Sequence, residues 1–354
     1  MQIQVSIQQH KEIIEQELQL FFEKTLDQNK TRDTAIHTLL QECRNFMLGG
    51  GKRLRSYITS LSYNGLGGKK SQKQALLSLE LLHGYLLVHD DIMDKDEKRY
   101  NKPTIWKKYE TDYQETISDE NERLDTSVSL AILAGNTLNT LALQSILCAT
   151  CSAVKKNRLV ELYTHYQQET AFGQILDVCS SIQYYKTEQI LEYYRLKTAV
   201  YSILLPLHFG AVLADKETPA LVEQLTAFAE PLGIAFQLRD DLIGAFGNSS
   251  ETGKSTSTDI LRKKRTYLLA KALELMNSDK RKNFLQLWQQ PNLEPKDIET
   301  IKGEISSSGA VDFIQNKINT LNNEAQQALT TLPFQAKEKN LFSQLINHLA
   351  TRTK

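Results

Sequence analysis

The stretch Glu80–Asp96, ELLHGYLLVHDDIMDKD, constrains this chain more than any other, because an apolar run passes directly into a cluster of carboxylates. Read as a helix, it places Asp90 and Asp94 one turn apart on a single face and turns Asp91 elsewhere. Like charges at that spacing destabilise an isolated helix by roughly a few tenths of a kcal/mol, so the pair invites a cation between its members. Oxygen ligands beside an apolar wall suit magnesium, which takes one or two carboxylates and completes its shell with water and substrate phosphate. A DDxxD cluster also describes a solvated acidic helix end, so the rest of the chain has to decide.

Apolar positions recur at spacings of three and four over residues 4–28, 32–47, 71–94, 127–149, 156–179, 187–214, 219–246 and 260–277, with shorter helical pieces towards the C-terminus. No segment alternates with period two between hairpin turns. The expectation is an all-α chain forming one helical domain over 1–354, with a charged, irregular loop at about 95–126 beside the site. The acidic half of that loop, Asp119–Asp125, reads as solvated surface. Pro206 should kink a buried helix. Cys148 and Cys151 form a CxxC with no second pair in a helical-looking segment, which reads as core packing.

Lys+Arg and Asp+Glu balance at 42 each, which argues against a broad basic surface for nucleic acid or anionic membrane, so phosphate binding has to be local. No apolar run approaches the ~18 residues of a membrane span, and the N-terminus MQIQVSIQQHKEIIEQ has no signal-peptide pattern. The expectation is a cytoplasmic protein with no transmembrane segment.

Local anion sites are present. In LGGGKRLRSYITSLSY, three glycines precede Lys52, Arg53 and Arg55 at a helix start, bringing backbone amides and cationic side chains together. Lys197 is a lone cation on an apolar element, where a snorkelling lysine is the plainer alternative. Near 230 the opening pattern repeats: EPLGIAFQLRDDLIGAFG runs into Asp240 and Asp241, with Gln237 before them and Gly244 at the place that would match Asp94. This second cluster should therefore supply fewer ligands than the first. GNSSETGKST imitates a phosphate-binding P-loop, but five residues separate Gly247 from Gly253 where that motif has four, and a helix precedes it where a strand is needed. Lys254, Lys263, Lys264 and Arg265 still form a cationic cluster.

Two carboxylate clusters, two cationic clusters and apolar helix faces imply a ligand with a diphosphate head and a hydrocarbon tail. Magnesium between carboxylates and diphosphate would favour departure of pyrophosphate and leave a carbocation in a dry cavity.

From about Gly49 to Thr266 the chain resembles the trans-isoprenyl diphosphate synthases: GGKRLR, HDDIMD, KPT, GQILD, LKT, FQLRDD, TGK and KRT occur in the family's order. The resemblance implies antiparallel helices around a deep central cavity, usually in a homodimer. It also implies condensation of isopentenyl diphosphate with an allylic diphosphate (dimethylallyl, geranyl or farnesyl) by ionisation, attack and proton loss. On this likeness Asp90 and Asp94 hold two magnesium ions, and Asp240, with Asp241 assisting, holds a third. Arg99, Lys197, Thr198, Gln237, Lys254 and Lys264 would grip the allylic diphosphate, and Lys52, Arg55 and His83 that of isopentenyl diphosphate. His83 lies two turns before Asp90 on the same face, which supports it independently.

The chain departs from the family at Tyr100, where a second arginine that contacts isopentenyl diphosphate is usual, at Asn101 for a common glycine, and at Asn136 for the aspartate of AGD. In the family, bulky residues before the first acidic motif set product length. An aromatic at Tyr85 with Leu86 beside it resembles the geranylgeranyl-forming type, and an ordinary core aromatic is the alternative at Tyr85. Farnesyl or longer polyprenyl synthesis stays open. A terpene cyclase would not need GGKRLR, and a non-catalytic regulatory subunit would usually lose acidic ligands that are present here.

Overall fold

A computed structural model describes residues 3–180, 182–183, 185–247 and 258–352. The chain is all-α apart from one short hairpin, and it divides into two compact units, residues 1–60 with 68–160 and residues 61–67 with 161–354.

The first unit contains α1 (Ile3–Gln28), α2 (Thr34–Met47), the start of α3 (Leu54–Gly65), α4 (Lys73–Met93), α5 (Ile105–Asp112), α6 (Glu120–Leu147) and the start of α7 (Ala153–Cys179). Asp33 caps α2 by accepting from the Ala35 N–H at 2.8 Å, which explains why the helix starts after the basic turn at Lys30–Arg32. Long α4 and α6 pack side by side, with Leu79, Leu81, Leu82, Ala131, Ala134 and Leu138 fully buried. Cys43 is buried with them and donates to the Ala134 carbonyl at 3.6 Å, and burial pushes its thiol up to about 12.

The segment expected as an irregular loop at 95–126 is more ordered. It contains a hairpin of β1 (Lys98–Arg99) and β2 (Lys102–Pro103), then α5, and the longest stretch in it without helix or strand is 113–119. Strands of two residues are too short to leave an alternation in the sequence. Asp119 caps α6, and Glu120 and Glu122 stand in its first turn, so half of the expected acidic surface serves the helix dipole. The CxxC reading is corrected. α6 stops at Leu147, leaving Cys148 exposed at its C-cap and Cys151 half-buried in the turn to α7, so neither is a core residue.

His10 on α1 lies against Ser56 Oγ at 3.0 Å and edge-on to Tyr57, and burial lowers its pKa to about 4, with Glu80 opposing. The unfolded chain binds that proton below about pH 6.5 while the folded chain resists it, so stability falls as pH drops from 6.5 towards 4. The cost is about 2 kcal/mol at pH 5. Thermal unfolding followed at pH 7 and pH 5 should show a smaller acid-induced drop in Tm for His10→Gln than for the unaltered chain.

The second unit contains the end of α3, most of α7, α8 (Thr187–Leu213), α9 (Pro219–Phe246), the short α10 (Thr258–Leu261), α11 (Tyr267–Leu275), α12 (Ser278–Trp288), α13 (Pro295–Ser307), α14 (Ala310–Thr331) and α15 (Ala336–Thr351). α9 packs against α8 and α14 over a core that includes Leu238, Leu242, Leu268, Ile314 and Ile318. Pro206 produces a change of register within α8. A π-helical segment, Arg195–Leu204, precedes it and closes with the Leu205 N–H on the Val200 carbonyl, so the proline's missing donor falls at the junction. The single helix expected over 260–277 is two. Lys263 turns left-handed (φ 55°), the Lys264 N–H returns to the Asp259 carbonyl, and Thr266 caps a new helix. By length and composition α6 and α8 could each cross a membrane, but the apolar window of α8 is 89% buried within the protein, which marks it as a core helix.

Candidate active site

In the first unit, α4 delivers its acids to its own C-terminal end. Asp94 is the C-cap, its N–H donating to the Asp90 carbonyl at 2.7 Å, and both side chains are half-buried. Carboxylates at a helix C-terminus oppose the macrodipole, so their charge needs an external cation. Asp91, one residue on, is buried and turned to Arg99. The Arg99 Nε donates to its two oxygens at 2.8 and 3.0 Å and Nη2 to Oδ1 at 2.5 Å. Arg99 Nη2 also lies 3.9 Å from Asp90 and from Asp96, so this residue, expected to grip substrate, is first a clamp on the acidic turn.

The hairpin carries Tyr100 and Asn101 as a two-residue turn with both φ values positive (53° and 61°), which explains why Asn, or a glycine, suits position 101. The Tyr100 ring lies on the glycine loop: a Cβ added to Gly50 would meet its Cγ at 2.6 Å, and one on Gly51 would meet its hydroxyl at 3.3 Å. Beyond the glycines, Arg53 is buried and left-handed (φ 53°), donating to the Met47 carbonyl and facing Glu15 at 3.5 Å and Glu80 at 3.8 Å. Glu80 also accepts from the Ser56 N–H at 3.0 Å. Arg53 thus anchors the loop, and its neighbours Lys52 and Arg55 are only half-buried. Burial first, then the guanidiniums of Arg55, Arg99 and Arg53, hold His83 well below the usual imidazole range. A neutral imidazole among cations makes this a site with charge to spare for an anion.

Tyr85 is half-buried and meets His89 edge-on at 4.8 Å, and His89 in turn packs closely on Gly135 of α6, while Leu86 is half-buried beside it. Asn136 lines a groove of about 800 Å³ between α1, α2 and α6 that contains none of the carboxylates or cations assigned to substrate.

In the second unit, Lys197 opens the π segment and pairs with Asp177 of α7 at 2.5 Å, an ion pair in place of a snorkelling side chain. Gly173 makes this approach feasible, since any Cβ there would collide with the Lys197 backbone. Thr198 Oγ1 donates to Gln237 Oε1 at 2.7 Å, and Gln237 Nε2 donates to Asp241 Oδ1 at 3.2 Å. Asp241, expected to assist with metal, is buried and its second oxygen accepts from the Tyr194 hydroxyl. Burial holds its carboxyl well above the usual range, with Asp259 and Asp240 adding and the bonds from Tyr194 and Gln237 opposing. Asp240 is more exposed and is paired by Arg352, which donates at 2.5 Å and stacks on the Phe236 ring at 3.8 Å. The C-terminal arginine is therefore fastened against an acid. Thr353, Lys354 and Lys254 lie outside the described residues, as does most of the P-loop-like stretch.

Gly244 leaves space into which the Asp259 carboxylate reaches. A third acid thus stands beside the second cluster after all, contributed from α10. Lys264 stays in the turn after it, tied by its backbone to Asp259. Tyr194, Asp177, Asp259 and Arg352 were not among the sequence-derived site residues. Of these, only Asp177 sits in a recognisable motif, GQILD.

Hard oxygen donors that are only partly buried, Asp90, Asp94 and Asp240, fit magnesium shared with a diphosphate. Among the described residues no group of three or more His, Cys, Asp or Glu side chains is gathered as a metal site.

A polyprenyl synthetase family model matches residues 37–305. The short chain isoprenyl diphosphate synthase of Methanocaldococcus jannaschii is 29% identical over 272 residues, covering 74% of each chain. The geranylgeranyl diphosphate synthase of Sulfolobus acidocaldarius is 28% identical, covering 79% of this chain and 80% of that protein. The crystal structure of geranylgeranyl pyrophosphate synthase from Corynebacterium glutamicum, complexed with isoprenyl diphosphate and magnesium, superposes with a TM-score of 0.90 at 28% identity, covering 96% of this chain and 98% of that one.

Proposed function

Because the chain belongs to the polyprenyl synthetase family, we propose that it condenses isopentenyl diphosphate with an allylic diphosphate, with geranylgeranyl diphosphate as product. It is a prenyltransferase of the short-chain trans type. The observation that carries the residue assignment is the split within each acidic pair: Asp90 and Asp240 are the accessible members, while Asp91 and Asp241 are buried and bonded to the protein.

Bound magnesium, taken as three ions held by Asp90, Asp94 and Asp240, would neutralise the diphosphate as it leaves. Lys197, positioned by Asp177, and the Gln237 amide, its oxygen held by Thr198, bind the allylic diphosphate, and Arg99, Lys254 and Lys264 are assigned to the same substrate. Lys52, Arg55 and neutral His83 bind the diphosphate of isopentenyl diphosphate. The departed pyrophosphate takes the proton lost after condensation. Arg352 would compete with a metal for the Asp240 carboxylate. Tyr85, with Leu86, limits product length. Incubation with magnesium, isopentenyl diphosphate and each allylic starter, followed by chromatography, should give geranylgeranyl diphosphate; starter hydrolysis or cyclisation without extension would overturn the reading.

Tyr100 occupies the glycine loop where a guanidinium would meet a second anion. A charge-assisted hydrogen bond is worth about 1.5–3 kcal/mol, so Tyr100→Arg should lower KM for isopentenyl diphosphate about 10- to 100-fold in steady-state assays. An unchanged KM would remove Tyr100 from that subsite.

The exposed apolar residues Leu124, Ile132, Leu133 and Leu147 of α6, with the groove beside them, support a homodimer built on this face. Sedimentation velocity should give a dimer mass that Leu133→Glu halves; a monomer in the unaltered chain would refute it.

A further inference from the structure

Tyr194 sits where α8 changes from α- to π-helical geometry, and it belongs to none of the motifs discussed above. Its hydroxyl has two partners. It donates to Asp241 and accepts the backbone N–H of Tyr267 at 3.0 Å, one of the donors that the first turn of α11 cannot satisfy internally. The phenol is 3% exposed and Asp241 is 4% exposed, and the Tyr193 ring packs edge-on against it at 4.8 Å, so neither group can exchange its partner for water.

From Asp241 the bonding continues outwards to Gln237 at 3.2 Å and then to the Thr198 hydroxyl at 2.7 Å, next to Lys197. The direction of each bond is fixed by its neighbour. With the Tyr267 N–H aimed at its oxygen, the phenol's own hydrogen goes to Asp241. That leaves the other carboxyl oxygen to the Gln237 amide nitrogen, which presents the amide oxygen to Thr198.

We propose that Tyr194 is a positioning residue for the allylic-diphosphate end of the site, acting through Asp241 on the Gln237 amide, whose oxygen Thr198 holds and whose nitrogen has a second hydrogen to give the diphosphate. This rests on the assignment of Lys197, Thr198 and Gln237 to that substrate. It gives the second carboxylate of the second acidic pair the task of orienting the amide, with metal left to Asp240. Removing the phenol hydroxyl strips a donor from a buried carboxyl, frees it to rotate and releases the Gln237 amide.

The test is a double-mutant cycle with Tyr194→Phe, Thr198→Val and both together, reading KM for each substrate, kcat and Tm. Tyr194→Phe should raise KM for the allylic diphosphate about tenfold, as expected when the Gln237 amide no longer makes one charge-assisted bond to it, and leave KM for isopentenyl diphosphate unchanged. The double variant should be no worse than Thr198→Val alone, because both act on one chain of bonds. Multiplicative effects, an unchanged allylic KM, or a parallel rise of both KM values would overturn the proposal. If Tyr194→Phe folds poorly, Asp241→Asn, of equal volume, carries the same expectation. An unaltered protein with no condensation activity would instead remove the functional reading, and this assignment with it.

Discussion

Asp90→Asn should lower the condensation rate about a hundred- to a thousandfold, the range seen when one preorganised electrostatic contact to a developing charge is lost, with Tm nearly unchanged. Asp90 is partly exposed at the end of α4, with the Arg99 guanidinium 3.9 Å away. A carboxylate that opposes the dipole at a helix C-terminus adds little to the folded state, whereas two negative charges there need a cation to sit side by side. Steady-state rates across a magnesium titration, together with thermal unfolding, check both halves. A large loss of Tm with Asp90→Asn would show that its role is structural.

The neighbouring substitution should do the opposite. Asp91→Ala should lower stability by about 3–5 kcal/mol, because it leaves the buried Arg99 guanidinium without the carboxylate that accepts from its Nε and Nη2. Denaturant unfolding measures this directly. Arg99 ends the first strand of the hairpin that presents Tyr100, so the loss should also loosen the glycine loop against which Tyr100 packs. A midpoint unchanged from the parent protein would mean that Arg99 finds other partners, Asp90 and Asp96 being nearest.

These two results separate what the sequence displayed from what it concealed. Helical period and apolar lead-ins marked α4 and α9, and the spacing of Asp90 from Asp94 revealed a charged face because helix geometry alone fixes it. The same geometry turns Asp91 off that face but cannot say that Arg99 meets it, since that contact depends on a hairpin whose two-residue strands leave no periodic signal. Asp259 was concealed for a similar reason. It reaches Gly244 only because the chain turns at Lys263, where the pattern read as one continuous helix. Tyr194 and Arg352 lie in none of the sequence motifs, and their roles show only in their partners, Asp241 for the first and Phe236 and Asp240 for the second. Lys197 was legible as an anomaly, a cation among apolar residues, and Asp177 supplies its explanation.

On the proposed function, the division of labour within the carboxylate pairs would serve one reaction, magnesium-dependent transfer of a prenyl group with loss of diphosphate. Its most direct measurement is pyrophosphate release set against isopentenyl incorporation by the purified protein, titrated with magnesium. The account predicts equimolar release and incorporation that rise together with magnesium and vanish on chelation. Release without incorporation, or no release with any allylic starter, would contradict it.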